Sequence, residues 1–113
     1  MSGCIFCQVA AGEISATIVK RGDGLIAFRD INPQAPTHVL VIPKEHLASL
    51  EEVADHHGPL LVDLVGAANQ VARDEGVAGG FRVVTNIGAS AGQSVDHLHL
   101  HVLGGRRFGW PPG

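Results

Sequence analysis

HLHLHVL, residues His97–Leu103, alternates imidazole with aliphatic side chains near the end of the chain. Successive side chains of a β-strand point to opposite faces of the sheet, so the pattern predicts a strand with three imidazoles on one face and aliphatic side chains on the other. Buried imidazoles need hydrogen-bond partners, and their charge changes near neutral pH. The stretch therefore predicts the last strand of a sheet, over Val95–Leu103, with one chemically active face. A half-exposed polar strand would show the same alternation.

Four further strands and one main helix are predicted before this stretch. Apolar residues recur at three- and four-residue spacing between Gly58 and Glu75, as on one face of a packed helix. A short helical turn is expected after His46. Apolar runs bounded by turn-forming residues predict strands at Thr17–Lys20, Leu25–Arg29, Thr37–Ile42 and Phe81–Asn86. Together these elements predict an α+β fold with a largely antiparallel five-stranded sheet, formed by residues 1–113 as one domain.

The composition restricts the possible partners of the protein. The chain has 113 residues, 45% of them hydrophobic, and a net charge of −3 with neutral histidines. A nucleic acid polymer would need clustered Lys and Arg to neutralise its phosphates, so we expect none as a partner, whereas a single nucleotide remains possible. No apolar run reaches the ~20 residues of a membrane-spanning helix, so we expect no membrane partner and a cytoplasmic location.

Two chemistries compete for the three imidazoles, namely metal coordination and nucleophilic catalysis. A metal site built on strand histidines usually adds a carboxylate or further histidines. No carboxylate follows the motif in the sequence, and Asp96 would point to the opposite face of the strand. Attack by the middle imidazole, His99, needs no metal. A metal-dependent hydrolase that uses His97 and His101 as ligands nevertheless remains an alternative.

The chain resembles the histidine triad nucleotide-binding proteins, the Hint branch of the HIT superfamily, nearly from end to end. The resemblance rests on motifs on both sides of the three histidines, in the order that this family has them. These motifs are CIFC at residues 4–7, DINPQAPTH at 30–38, VIPKEH at 41–46, GQSV at 92–95, LGGR at 103–106 and WPPG at 110–113. The resemblance implies a HIT-like fold.

The resemblance also implies a reaction. Related nucleotidyl transferases carry Gln at the position of His101, so a histidine there favours hydrolysis. His99 would attack the α-phosphorus of a purine nucleoside 5'-phosphoramidate and form a nucleotidyl-histidine, which water then hydrolyses. The main-chain carbonyl of His97 would fix the tautomer of His99, and His101 would bind a phosphate oxygen. No catalytic metal is required. A nucleotide-binding regulatory module with incidental turnover and a dinucleoside-polyphosphate hydrolase are the alternatives.

The loop from Asn86 to Ser94 is suited to cradle a phosphate, because its glycines permit close approach of backbone N–H groups. A plain hairpin connection would have the same composition. The resemblance implies that the phosphate or leaving group is contacted by Asn86, Gly92, Gln93 and Ser94. It also implies that Asp30 binds the ribose hydroxyls and that the purine lies between Phe6, Phe28 and Ile31. From the sequence alone, Asp30 is a turn residue and the three apolar residues belong to the core.

The resemblance further implies a homodimer in which two five-stranded sheets join. The tail from Arg106 to Gly113 would then lie near the pocket of the partner subunit, where Trp110 would help to set the preference for the leaving group. A frayed terminus is the usual state of a segment so rich in Pro and Gly.

The only cysteines, Cys4 and Cys7, form a C-x-x-C pair. In a reducing compartment such a pair is more often metal-binding or redox-active than a structural disulfide. The resemblance implies that His46 lies beside His97, so we expect a structural zinc site with the closed ligand set Cys4, Cys7, His46 and His97. The alternative is a pair of unliganded thiols with His46 hydrogen-bonded to His97.

Overall fold

A computed structural model describes residues 3–113; Met1 and Ser2, which the predicted domain includes, lie outside the described residues. Its centre is a five-stranded sheet of order β1-β2-β3-β5-β4, in which all neighbouring strands are antiparallel. The strands are β1 (Ile18–Arg21), β2 (Leu25–Arg29), β3 (Thr37–Pro43), β4 (Phe81–Val84) and β5 (Leu100–Gly104), and the helices are α1 (Ile5–Ala10) and α2 (Gly58–Asp74). The predicted α+β class is confirmed.

Helix α2 covers one face of the sheet. Its buried side chains recur at the predicted three- and four-residue spacing and pack on alternate residues of the two central strands, such as Val41 and Val102. Pro59 lies in its first turn, where the missing N–H costs no hydrogen bond. Gly76 follows the helix with φ of 75°, the left-handed conformation that ends helices. The main helix therefore lies where the sequence predicts it.

Helix α1 packs on the opposite face of the sheet, over β2 and β3. Phe6 and Val9 are its buried residues, and they contact Phe28 and Leu40 of the sheet. The short helical turn predicted after His46 is confirmed as two 3₁₀ turns, Leu50–Glu52 and Asp55–His57. Helix α1, at residues 5–10, is an additional element that the sequence does not predict. His101 of β5 pairs with Leu40 of β3 and therefore lies on this same face of the sheet.

Candidate functional site

The three histidines approach the sheet at the start of β5, and only His101 lies within that strand. The predicted strand over Val95–Leu103 is therefore too long at its beginning. Before Leu100 the chain bends away from the ladder, and the N–H of Leu98 donates to the carbonyl of Leu47 at 2.6 Å. The alternation of faces is preserved all the same, because Leu98, Leu100 and Val102 pack into the core beneath α2.

The ring of His99 is buried and held in one tautomer. Its Nδ1–H donates to the main-chain carbonyl of His97 at 2.6 Å, which is the contact expected from the sequence. The hydroxyl of Thr85 donates to the carbonyl of His99 at 2.9 Å, and the ring of Phe6 meets the imidazole edge-on with 5.1 Å between centroids. Since Nδ1 carries the hydrogen, Nε2 of His99 carries a lone pair and can act as a nucleophile.

A chain of hydrogen bonds fixes the tautomer of His101 as well. The N–H of Gln34 donates to Nδ1 of His38 at 3.0 Å, so the hydrogen of a neutral His38 is on Nε2. That Nε2–H donates to Nδ1 of His101 at 2.9 Å and lies 3.4 Å from Oδ2 of Asp30. The remaining hydrogen of His101 is then on Nε2, where it can be donated to an anionic oxygen.

Burial keeps His101 uncharged at neutral pH. Desolvation lowers the pKa of His101 to about 4, with smaller contributions in the same direction from His99 and His38, while Asp30 opposes the shift. Burial also lowers the pKa of His38, again opposed by Asp30. The pair is therefore a neutral relay of hydrogen bonds at pH 7, and His101 is a donor without a positive charge.

His38 lies on β3, and its two hydrogen bonds connect the N–H of Gln34 with the ring of His101. Replacing His38 with leucine removes the donor that fixes the tautomer of His101, so we expect kcat of a reaction that uses the Nε2–H of His101 to fall by at least about tenfold. The His38→Gln variant, which keeps an N–H donor near the position of Nε2, should retain more of the activity. Steady-state kinetics of both variants provide the test, and equal activity of His38→Leu and wild type would contradict it.

An apolar cavity of about 350 Å³ opens between α1 and the end of β2. Phe6 and Phe28 form its buried wall and meet edge-to-face with 5.4 Å between centroids. Asp30 and Ser94 lie at its margin. Ile31 also lines the cavity, but its side chain is fully exposed, at 101%. The interpretation of Ile31 as a core residue is therefore wrong: it belongs to the turn after β2, and its side chain forms a rim.

The loop from Asn86 to Ser94 contains a 3₁₀ turn at Ala89–Ala91 between Gly88 and Gly92, whose φ angles are 87° and 96°. Gln93 is buried inside this loop. Its Oε1 accepts from the N–H of Gly88 at 2.8 Å, and its Nε2 donates to the carbonyls of Ala48 and Val95. Gln93 therefore holds the shape of the loop, and a direct contact of its side chain with phosphate remains a prediction.

Cys4, Cys7, His46 and His97 converge, with all four ligand atoms within 4.8 Å of one another. Nδ1 of His97 lies 3.3 Å from Sγ of Cys4, 3.5 Å from Sγ of Cys7 and 3.2 Å from Nδ1 of His46, which is itself 3.2 Å from Sγ of Cys7. In tetrahedral zinc with Zn–N of about 2.0 Å and Zn–S of about 2.3 Å, neighbouring ligand atoms lie roughly 3.3–3.8 Å apart. We name these four residues the Cys/His cluster.

The burial and the hydrogen bond of His97 suit its ring to binding a metal ion. Its ring is fully buried, and its Nε2–H donates to the carbonyl of Pro43 at 2.8 Å, which leaves the lone pair on Nδ1, inside the cluster. A hydrogen bond from the ring nitrogen that does not bind the metal orients most metal-binding histidines. Burial lowers the pKa of His97, so the ring is neutral, as coordination requires. The Cys/His cluster thus fits a metal ion by geometry, protonation and ligand type.

A second group, made of Asp30, His38 and His101, also brings possible metal ligands together. The hydrogen bond from the N–H of Gln34 to Nδ1 of His38 argues against a metal here, because it places a hydrogen on the Nε2 that faces the group. Within residues 3–113, His97 and His101 therefore belong to different groups, and no shared metal site of the two is formed.

The C-terminal tail runs past the sheet on the side of His101. Phe108 and Pro112 line a groove beside His101 of the same chain, whereas Trp110 is largely exposed. The expected contact of Trp110 with a partner subunit remains a prediction. Over residues 3–113, neither helix has the length and apolar character needed to cross a membrane.

Comparison with known proteins gives consistent similarities over nearly the whole chain. The matching family model is described as scavenger mRNA decapping enzyme C-term binding and covers residues 3–107. The structure of a HIT family hydrolase from Legionella pneumophila Philadelphia 1 is 48% identical with a TM-score of 0.96, covering 98% of this chain and 100% of that one. A 14 kDa zinc-binding protein from Zea mays is 47% identical over 99% of this chain and 89% of its own length. Adenylylsulfatase HINT1 from Arabidopsis thaliana is 45% identical, covering 99% and 78%.

Proposed function

The chain belongs to the histidine triad superfamily, in its Hint branch, and from this premise we propose that it hydrolyses purine nucleoside 5'-phosphoramidates through a nucleotidyl-histidine intermediate. The observation that carries the proposal is the hydrogen bond from Nδ1 of His99 to the carbonyl of His97, because it leaves the lone pair on Nε2. The names of the Legionella and Arabidopsis relatives, a hydrolase and an adenylylsulfatase, support hydrolysis of a nucleotide.

The reaction divides into two displacements at phosphorus. In the first, Nε2 of His99 attacks the α-phosphorus, the bond from phosphorus to the amine breaks, and the amine leaves after taking up a proton. In the second, water attacks the same phosphorus, and His99 leaves as a neutral imidazole. The Nε2–H of His101 donates to a phosphoryl oxygen as negative charge develops there. Because His101 is uncharged near pH 7, its contribution is a fixed dipole, not a full charge.

The nucleoside would occupy the apolar cavity beside α1. The buried rings of Phe6 and Phe28 offer the purine an apolar wall, and the exposed Ile31 would cover it from the rim. Asp30, half-buried at the same cavity, would accept hydrogen bonds from the ribose hydroxyls. Asn86, Gly92, Gln93 and Ser94 would surround the phosphate, with Gln93 acting by holding the loop.

The Cys/His cluster would hold a structural zinc ion, as the name of the maize relative supports. His97 has two separate functions in this arrangement: its Nδ1 faces the cluster, and its carbonyl accepts the hydrogen of His99. The ion would supply no step of the reaction and would fix α1 and residue 97 in position. His99 and His101 remain available for catalysis.

We expect the whole chain, residues 1–113, to act as one HIT domain that forms a homodimer through the edge of its sheet. Strand β4 is an edge strand, and Val83 on it is exposed, as are Val62 and Val65 on α2. Unpaired edge strands with apolar side chains are suited to pairing with a second copy. We also expect the tail from Arg106 to Gly113 to lie near the pocket of the partner subunit. A cytoplasmic location remains a prediction.

The substrate class is tested by one panel of nucleotides. Wild-type protein is assayed with AMP- and GMP-amidates, adenylyl sulfate and diadenosine polyphosphates; the sulfate is included because of the Arabidopsis relative. We expect the highest kcat/KM with the amidates. Binding of all these compounds without hydrolysis of any would instead support a regulatory nucleotide-binding module, and a preference for the polyphosphates would replace the proposed substrate.

A further inference from the structure

The groove beside His101 that Phe108 and Pro112 line has a volume of about 250 Å³ and lies on the other side of His101 from the apolar cavity. It forms because β4 and β5 pair with Arg82 opposite Leu103 and Val84 opposite His101, so that these side chains share one face of the sheet. Residues of the tail after β5, among them Arg106 and Phe108, also line the groove. We call it the basic groove and define it by Arg82, Asn86, His101, Arg106 and Phe108.

The two arginines of the basic groove are held in place by the same aromatic ring. The guanidinium carbon of Arg82 lies 5.0 Å from the ring centre of Phe108, and that of Arg106 lies 4.2 Å from it. Arg82 donates one hydrogen bond, to the carbonyl of Gly109, and Arg106 donates two, to the carbonyls of Gln34 and Arg107. A guanidinium has five N–H donors, so each arginine retains donors for a ligand.

The charge of the groove is opposite to that of the chain. The protein carries a net charge of −3, yet the described residues that line the groove include two arginines and no carboxylate. Asp30, the acidic residue nearest in the hydrogen-bond network, lines the apolar cavity on the other side. Planar guanidinium groups match carboxylate, sulfonate, sulfate and phosphate oxygens in geometry and in charge.

We infer that the basic groove binds an oxyanion on the leaving group of the substrate. This inference rests on the proposed function, because it requires that the nucleoside fills the apolar cavity and that the α-phosphate lies between His99 and His101. The part of the substrate beyond phosphorus then extends into the basic groove. In the first displacement the P–N bond breaks, its electron pair stays on the amine, which takes a proton from water, and the oxyanion is unchanged.

The experiment compares three AMP-amidates made from ethylamines that differ only in the second carbon's substituent: sulfonate, hydroxyl or trimethylammonium. We expect wild-type kcat/KM to be about tenfold higher for the sulfonate than for the trimethylammonium compound, because the charge-assisted hydrogen bonds form only with the former. The ratio of kcat/KM for the sulfonate to kcat/KM for the trimethylammonium compound should fall as KCl is added, since the arginines lie at the surface where salt screens charges.

Variants of the two arginines test whether the preference for the sulfonate compound arises from the basic groove. Arg82→Met and Arg106→Met should each lower the ratio at least about threefold, and Arg106 is exposed, so its variant keeps the test valid if Arg82→Met does not fold. Arg107→Met is the matched control, because Arg107 is an exposed arginine outside the groove lining, and its ratio should equal that of wild type.

The outcomes separate this inference from the proposed function. Equal kcat/KM for the three compounds, or a sulfonate preference in Arg106→Met that is as large as in wild type, would overturn the inference and leave phosphoramidate hydrolysis in place. Hydrolysis of none of the three by wild-type protein would overturn both.

Discussion

Replacing His99 with alanine should lower kcat/KM for AMP-amidates by at least about 10³-fold, because the variant lacks the nucleophile of the first displacement. Binding of AMP should persist, since the apolar cavity and the loop from Asn86 to Ser94 are unchanged. The measurement pairs steady-state kinetics with titration calorimetry on the same preparation. Loss of turnover with retained binding distinguishes an enzyme from a regulatory module whose hydrolysis is incidental.

The matched control for this experiment is His56→Ala. His56 is exposed and lies beside His57 at the start of α2, remote in sequence from the triad. Its removal should leave both kinetics and binding close to those of wild type. A His99→Ala protein that hydrolyses AMP-amidates at a near-normal rate would contradict the assignment of the nucleophile.

The second large effect is expected at the Cys/His cluster. The Cys4→Ser/Cys7→Ser protein should lose its zinc and about 3 kcal/mol or more of unfolding free energy, as when a ligand bound far above its Kd is removed. For a domain of this size that loss lowers Tm by roughly 10 °C. The physical reason is that α1 has only six residues, too few for a stable isolated helix, and the cluster fixes it to residue 97.

Elemental analysis of protein purified without added metal provides the direct readout. We expect close to one zinc per chain in wild type and none in the double variant. A chelator added to wild type should reproduce the lower Tm, which separates loss of the ion from loss of the thiols. Part of the activity should remain, because the carbonyl that orients His99 belongs to the backbone. Metal-free wild-type protein with undiminished Tm would rule out the zinc site.

The elements predicted most accurately from the sequence are those whose own residues show a buried apolar run or a helical spacing. Strand β2 matches its prediction, and β3 and α2 differ by one residue, because buried runs and helical spacing are local signals. Helix α1 is not predicted from the sequence, although Phe6 and Val9 have helical spacing, because six residues give little signal and their stability comes from packing on the sheet.

The parts of the site formed by neighbouring residues of one motif could be predicted from the sequence. The parts formed by contacts between residues distant in the chain could not. The carbonyl of His97 that orients His99 is two residues away in the chain, whereas His38 meets His101 across 63 positions. The start of β5 was placed too early because the alternation of HLHLHVL continues through a segment that leaves the ladder. The convergence of Arg82 and Arg106 on Phe108 likewise depends on strand pairing, which spacing in the sequence does not reveal.

In the proposed reaction, His99 becomes covalently nucleotidylated during turnover. The most direct test of this step is mass spectrometry of wild-type protein quenched in alkali within the first turnovers of a saturating AMP-amidate, because P–N bonds to histidine are labile in acid. We expect a protein heavier by one adenylyl group, with the modification on His99 and none in His99→Ala. Rapid hydrolysis with no adduct at any time, or an adduct on a residue other than His99, would contradict it.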